Sequence, residues 1–371
     1  MAISINIRGD TMETPILEID LDKIKSNATK LKSIFDEKNI NIMFITKGFC
    51  ADTNIISAVE TVGIKYFGDS RMSNIIKVKK DKPYLDYTLI RIPKISELES
   101  MIDYCSTSLQ SELSMIKRAS KIAILKGKVH NIILMVDVGD LREGVLIEDV
   151  IETVEEIIKL DGVNLIGIGT NVGCYGSIMP SKENTDILVK LKNKIKKECQ
   201  YDISIISGGS TCTSNLIFNG TLAAGINFLR IGEAILFGED STNDKKIPGL
   251  IDDAFILKAE IIELKHKPSY PIGQIGKDAF GRITEYIDYG NIDRAILAIG
   301  RQDVVIEALD PIDSNIKILG GSSDHMICYL NPMTEYKLGD LISFRCSYSA
   351  ALSATTSPFV MKECSTEKVY G

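Results

Sequence analysis

The residues of this sequence best suited to chemistry are a lysine that ends one apolar run, an arginine inside another, and two glycine-rich turns. Lys47 directly follows IMFIT (42–46) and precedes GFCAD. A lysine so placed emerges from a buried strand, where desolvation and neighbouring cations favour the neutral amine. A neutral amine attacks carbonyl carbon and can condense with an aldehyde. A lysine at a strand end also snorkels to water with no chemical role, and the local sequence does not choose between these readings. The segments ISGGSTCTS (206–214) and LRIGEAILFG (229–238) each join an apolar run to a turn. Such turns expose backbone N–H groups, and a helix starting near Gly232 offers its positive end to an anion such as phosphate. Glycines in turns of this type also serve purely steric needs.

The elements that position these groups are visible as an alternation. Short apolar runs recur at IMFIT (42–46), KYFGD (65–69), YTLIRI (87–92), STSLQ (106–110), NIILMVD (131–137), NLIGIGT (164–170), ISIIS (203–207) and NFLRIG (227–232). Between them lie NIISAVETVG, SELSMIKRASKIAILKG and DVIETVEEIIKL, with apolar residues every three or four positions, as amphipathic helices require. Eight strands at this spacing predict a (β/α)8 TIM-type barrel, although STSLQ is weak and its assignment leans on the count. Reactive groups of such barrels sit at the carboxyl ends of the strands. Those positions are Lys47, Asp69, Arg91, Gln110, Asp137, Asn171, Ser207 and Arg230. A converging ring of polar groups on apolar strands is costly unless it holds a ligand.

After residue 240 the texture changes. EDSTNDKKIPG leads into FILKAEIIELKHKPSYPIG, read as strand-turn-strand, and RAILAIG, VVIEAL, NIKILGG, HMICYL and LISFRCSY follow between turn residues. This predicts a mainly antiparallel C-terminal β-domain over 241–371, after a barrel over 1–240 that includes a strand and helix at 13–33. A net charge of -7 argues against a nucleic-acid binder. No run of 18 apolar residues or signal peptide is present, so neither membrane insertion nor export is expected. The eight cysteines form no C-x-x-C pair and the three histidines are dispersed, so reduced thiols, a cytoplasmic location and no metal site are expected.

Taken together these stretches resemble the alanine racemase superfamily, the fold-type III pyridoxal-phosphate enzymes, over nearly the whole chain. ETPILEIDLDKIKSNATKLK is similar to the family's opening strand and helix, and FITKGFCAD stands where the cofactor lysine lies, which implies that Lys47 carries pyridoxal 5'-phosphate. MVDVGDLREG resembles the stretch ending in an arginine near the substrate carboxylate, which implies that role for Arg142. In GIGTNVGCYG the histidine that packs by the cofactor ring in alanine racemases is replaced by Asn171. NFLRIGEAILFG implies that Arg230 faces the pyridine nitrogen and that Gly232 and Glu233 supply phosphate-binding backbone, with Ser207, Ser210 and Thr211 completing the cofactor site.

The stretches KAEIIELKHKPSYPIGQIGKDAFG, AIGRQDV, LGGSSDH and YSAALSATTSPFV resemble the ornithine-racemase-like branch. The second-domain tyrosine of alanine racemases is missing from PIGQIGKDAFG. Decarboxylases of this fold carry a cysteine where Ser323 stands and pair the pyridine nitrogen with glutamate rather than arginine, so the resemblance implies racemisation. His325, Tyr348 and Cys346 are the candidates for a second base acting opposite Lys47, with Ser323 behind them. Asp324, with Ser323, is the candidate for binding the substrate, Asp324 on the δ-ammonium of ornithine. A small amino-acid substrate and a homodimer with composite sites are implied. Alanine, lysine or serine racemisation, decarboxylation of a basic amino acid, and a non-catalytic cofactor carrier are the alternatives.

Overall fold

The computed structural model describes residues 13–366 apart from 244 and 284. Two compact units form, one from Leu21–Asp252 and one from the described residues up to Asp20 together with those from Asp253 onward.

The first strand, β1 (Ile16–Asp20), lies in the second unit. Beside the short strands Val145–Leu146, Glu239–Asp240 and Lys245–Lys246, Leu21–Asp252 then contributes the strands of a barrel: β2 (Asn41–Ile45), β3 (Tyr66–Asp69), β4 (Asp86–Leu89), β5 (Thr107–Gln110), β6 (His130–Asp137), β7 (Val163–Gly169), β8 (Ile205–Ser207) and β9 (Phe228–Ile231). Each pairs in parallel with the next, and β9 returns to β2 through Phe228 opposite Asn41, so the sheet closes into the expected (β/α)8 barrel. Helices cover its outside, which is why the strands are apolar on both faces.

The barrel interior is filled by Met43, Ile45 and Phe228, packed with Ile90 and Ile205, and by Leu109, Ile133 and Met135. Gly68 belongs to the same layer, since a Cβ there would lie 2.7 Å from the Met43 sulfur and 2.8 Å from the Ile90 Cγ2. Side chains alternate along a strand, so these residues define which neighbours face the barrel axis and which face the helices.

The helix Leu21–Asp36 is tied to this unit by Asn27, which is 1% exposed. Its amide donates to the carbonyls of Ile235 and Ile251 and its oxygen accepts from Ile251 N. The unit therefore runs on to Asp252 and excludes the opening strand, whereas 1–240 was the span expected from sequence. The strand at 16–20 parts from its helix because Ile16, Leu17 and Ile19 are buried between two partners far along the chain.

In the second unit β10 (Phe255–Pro268), β11 (Asn291–Leu297), β12 (Leu309–Pro311), β13 (Ile316–Gly321), β14 (Met326–Leu330), β15 (Leu341–Cys346) and β16 (Met361–Ser365) join β1 in one sheet. The central order is β12-β15-β10-β11-β14-β13, all antiparallel. β1 pairs antiparallel with β10 and parallel with β16. FILKAEIIELKHKP is one 14-residue strand, where two strands and a turn were expected, and its register shifts between Ile261 and Glu263 as pairing passes from β15 to β11. VVIEAL forms a 3-10 turn at Ile306–Ala308 before β12, and YSAALSATT is a helix, Tyr348–Thr356, in which Ala350, Ala351 and Ala354 are buried. Small side chains let that helix lie close to its surroundings.

Candidate active site

The alternation set by Ile45, Gly68, Leu109, Met135, Gly169, Ile205 and Phe228 decides which strand-end groups reach the barrel mouth. Two positions beyond an inward residue stand Lys47, Asp137, Asn171, Ser207 and Arg230. Asp69 and Gln110 have the opposite parity and turn towards the helices, contrary to the ring read from sequence. Asp69, fully buried, accepts from Thr46 Oγ1 at 2.7 Å, Arg71 N at 2.8 Å and Asn74 Nδ2. Gln110 donates to Ser108 Oγ, which also meets His130 Nε2 at 2.9 Å. Arg91 is bound to Glu97 at 2.6 Å. Asp137 caps its own loop, accepting from Gly139 N and Leu141 N.

Lys47 is exposed as a residue at the mouth, and its amine lies within the influence of Arg142, Cys174, Asp69 and Arg230. Desolvation by burial is the largest influence and holds its pKa below the ordinary lysine range. The Arg142 guanidinium pushes in the same direction, Cys174 and Asp69 oppose it, and Arg230 again lowers it. Thr46, locked to Asp69, fixes the backbone from which Lys47 emerges.

Arg230 is 6% exposed, and its partners are neutral: Ser207 Oγ at 2.5 Å, Thr170 O at 2.7 Å and Asn171 Oδ1 at 3.1 Å. Burial brings the guanidinium down to about 10, partly offset by Glu143 and deepened by Arg142. At neutral pH it stays charged. A buried cation held by neutral oxygens is electrostatically unfinished and suits a ligand carrying a lone pair or negative charge.

The turns after β8 and β9 meet through Thr211 Oγ1, which accepts from Ala234 N at 3.3 Å. The first requires glycine at 209, where φ is +128° and a Cβ would lie 2.4 Å from Thr213 Oγ1. Ser210 Oγ lies 3.3 Å from Cys212 Sγ. Gly232 precedes the short helix Glu233–Phe237, whose opening amides have no acceptor within it. The Glu233 carboxylate turns to Ser241, accepting from its amide and hydroxyl, and is pushed up to about 7, first by burial and then by Asp240 and Glu239. Arg142, in the loop after β6, holds Glu143 with two nitrogens and donates through Nη1 to Cys174 Sγ at 2.7 Å. Asp140 and Cys174 were not singled out from sequence, because their partners lie in a different loop; Glu143, held by the adjacent Arg142, was not singled out either.

In the second unit Ser323, Asp324 and His325 are exposed together at the turn between β13 and β14. Ser323 Oγ donates to Asp324 Oδ2 at 3.3 Å, and the carbonyls of Ser322 and Ser323 accept from Arg301 N and Gln302 N. Tyr348 is half-buried at the start of its helix. Cys346 is 1% exposed inside the sheet and burial pushes its thiol up to about 12, so it is corrected from a candidate base to a core residue.

Residues 19–240 match the family described as alanine racemase, N-terminal domain. Over 94% of this chain and 99% of the relative's length, the sequence is 42% identical to an ornithine racemase of Acetoanaerobium sticklandii. Over 97% of this chain and 99% of the relative's length, it is 39% identical to a lysine racemase of Thermotoga maritima. Among solved structures it resembles an alanine racemase of Clostridium difficile 630 with a TM-score of 0.76 and 18% identity, over 96% of this chain and 97% of that one.

Proposed function

The chain belongs to the alanine racemase family, and we propose that it is a pyridoxal-phosphate-dependent amino-acid racemase acting on ornithine. The observation that carries the reading is the pairing, in one barrel mouth, of an amine of lowered pKa with a buried guanidinium whose hydrogen-bond partners among the described residues are neutral oxygens. These donors fit pyridoxal phosphate, because a ring nitrogen can accept from Arg230 without displacing a carboxylate. Lys47 would hold the aldehyde carbon, Arg230 the ring nitrogen with Asn171 beside it, and the turns bearing Ser207, Ser210, Thr211, Gly232 and Glu233 the phosphate.

When bound, the cofactor stabilises negative charge at the substrate α-carbon. Lys47 Nζ, inclined to neutrality by desolvation and by Arg142, takes and returns the α-proton on one face. Arg230 surrenders no proton at neutral pH, which favours simple proton exchange over transamination. Arg142 binds the substrate carboxylate. The opposite face is served by His325 or Tyr348, and Asp324, beside Ser323, receives the distal ammonium through a charge-assisted hydrogen bond. These second-unit groups act on the barrel mouth of a partner subunit in a homodimer. Tyr270, Ile272, Ile275, Phe280, Ile283 and Ile287, all exposed within one chain, support such an association. We assign the protein to the reducing cytoplasm, where cysteines such as Cys105, Cys212 and Cys328 stay as free thiols; among the described residues no helix is long and apolar enough to cross a membrane.

Incubation of the loaded protein with single L-amino acids, following optical rotation and CO2 together, tests the reading. It predicts loss of rotation from L-ornithine without CO2, and slower or no change with L-alanine. Release of CO2, or equal rates with ornithine and alanine, would overturn the proposed reaction or its substrate.

A further inference from the structure

We propose that Asp140 is a positioning residue, which sets Arg142 above the Lys47 amine by clasping the loop that carries Cys174. The inference rests on the reading of Arg142 as the group that binds the substrate carboxylate.

Asp140 is 2% exposed. Its Oδ1 accepts from Cys174 N at 3.4 Å and Ile178 N at 3.3 Å, and its Oδ2 from Tyr175 N at 3.1 Å. A buried carboxylate is tolerated only when its oxygens are satisfied, and here the loop after β7 wraps around it to do so. The two loops also touch through their main chains, since a Cβ on Gly176 would lie 2.5 Å from the Asp140 carbonyl oxygen.

The arginine follows two residues later. Between them Leu141 has φ +55° and a side chain 71% exposed, so neither its backbone preference nor its packing holds the turn. What holds the turn is Asp137 Oδ1 on one side, bonded to Gly139 N and Leu141 N, and the Asp140 clasp on the other. The same clasp delivers Cys174 Sγ to Arg142 Nη1 at 2.7 Å. Arg142 thus reaches the mouth with its guanidinium already oriented, and from there its charge acts on both Lys47 and Arg230.

Two variants of the full-length protein test this. Asp140→Asn replaces one accepting oxygen with a donor facing the loop amides, and Gly176→Ala forces the two main chains apart without altering any charge. In each, KM for the amino acid should rise about 10-fold with kcat changed by less than about 3-fold, because an interaction common to ground and transition states has been weakened. In protein stripped of cofactor, condensation of Lys47 with added pyridoxal phosphate should move to higher pH, since a withdrawn Arg142 no longer lowers the amine pKa. In an Arg142→Gln background, Asp140→Asn should add little to either effect, whereas a merely structural role would give additive losses. Unchanged KM and an unchanged pH dependence in both variants would overturn the proposal. If Arg142→Gln itself leaves KM unaltered, the reading of Arg142 fails. Amide exchange in the wild type then judges the clasp separately, slower at Tyr175 and Ile178 than at Gly176 and Ser177 if it holds and equal at all four if it does not.

Discussion

Replacing Arg230 with methionine should scarcely destabilise the cofactor-free protein, although it removes a fully charged group from the interior. Burial brings the guanidinium down from its ordinary value to about 10. At ~1.4 kcal/mol per tenfold change, that corresponds to roughly 3 kcal/mol by which the folded state disfavours the charge. Methionine relieves this cost but deprives the buried Thr170 carbonyl and Ser207 hydroxyl of a donor, at about 1–3 kcal/mol each. The Asn171 oxygen, half-buried, can turn to water. The opposing effects nearly cancel, and urea unfolding of the stripped variant at pH 7 should lie within about 2 kcal/mol of wild type. Adding saturating pyridoxal phosphate should then separate the two proteins, stabilising wild type clearly more, because only it offers the ring nitrogen a donor. A loss of about 3–5 kcal/mol in the stripped variant is what breaking a buried ion pair costs. That result, with equal cofactor stabilisation in both proteins, would refute the idea that Arg230 is completed by a ligand.

Three further outcomes are expected. His325→Ala or Tyr348→Phe should block α-proton exchange from one enantiomer more than from the other, measured as deuterium wash-in from D2O; if neither variant alters racemisation, neither residue is the second base. Asp324→Asn should reduce kcat/KM for ornithine by about 10-fold or more, as loss of a charge-assisted hydrogen bond of ~1.5–3 kcal/mol demands, with little effect on alanine; equal losses would remove Asp324 from the distal ammonium. His130, 2% exposed and brought down to about 4 by burial, is held neutral by the fold. Its folded pKa lies below the ordinary 6.5, so stability is full above that value and declines as pH falls from about 6.5 towards 4, by up to roughly 3 kcal/mol. Urea midpoints of His130→Gln should fall less steeply over that window than those of wild type.

The barrel was legible because a parallel sheet covered on both faces turns its strands into apolar runs that need no alternation to be noticed. Even STSLQ is a strand, its polar character accounted for by Ser108 and Gln110 binding each other and His130 under the helix layer. The split of the opening strand from its helix was not legible, because the partners of Ile16–Asp20 lie more than 230 residues away and no local pattern names them. At the site, side-chain parity carried more information than strand-end position alone. Counting by two from Ile45, Gly169, Ile205 and Phe228 leads to Lys47, Asn171, Ser207 and Arg230, and the same count from Gly68 and Leu109 passes over Asp69 and Gln110. The Asp140 clasp escaped notice for a different reason. Its carboxylate is recognisable in MVDVGDLREG, but its donors are main-chain amides, which any residue type supplies.

The central claim concerns one nitrogen atom. Full-length protein incubated with pyridoxal phosphate, reduced with borohydride, digested and mapped by mass spectrometry should carry a single stoichiometric adduct on Lys47, absent from Lys47→Ala. An adduct spread over surface lysines, or one that persists undiminished in Lys47→Ala, would contradict the account.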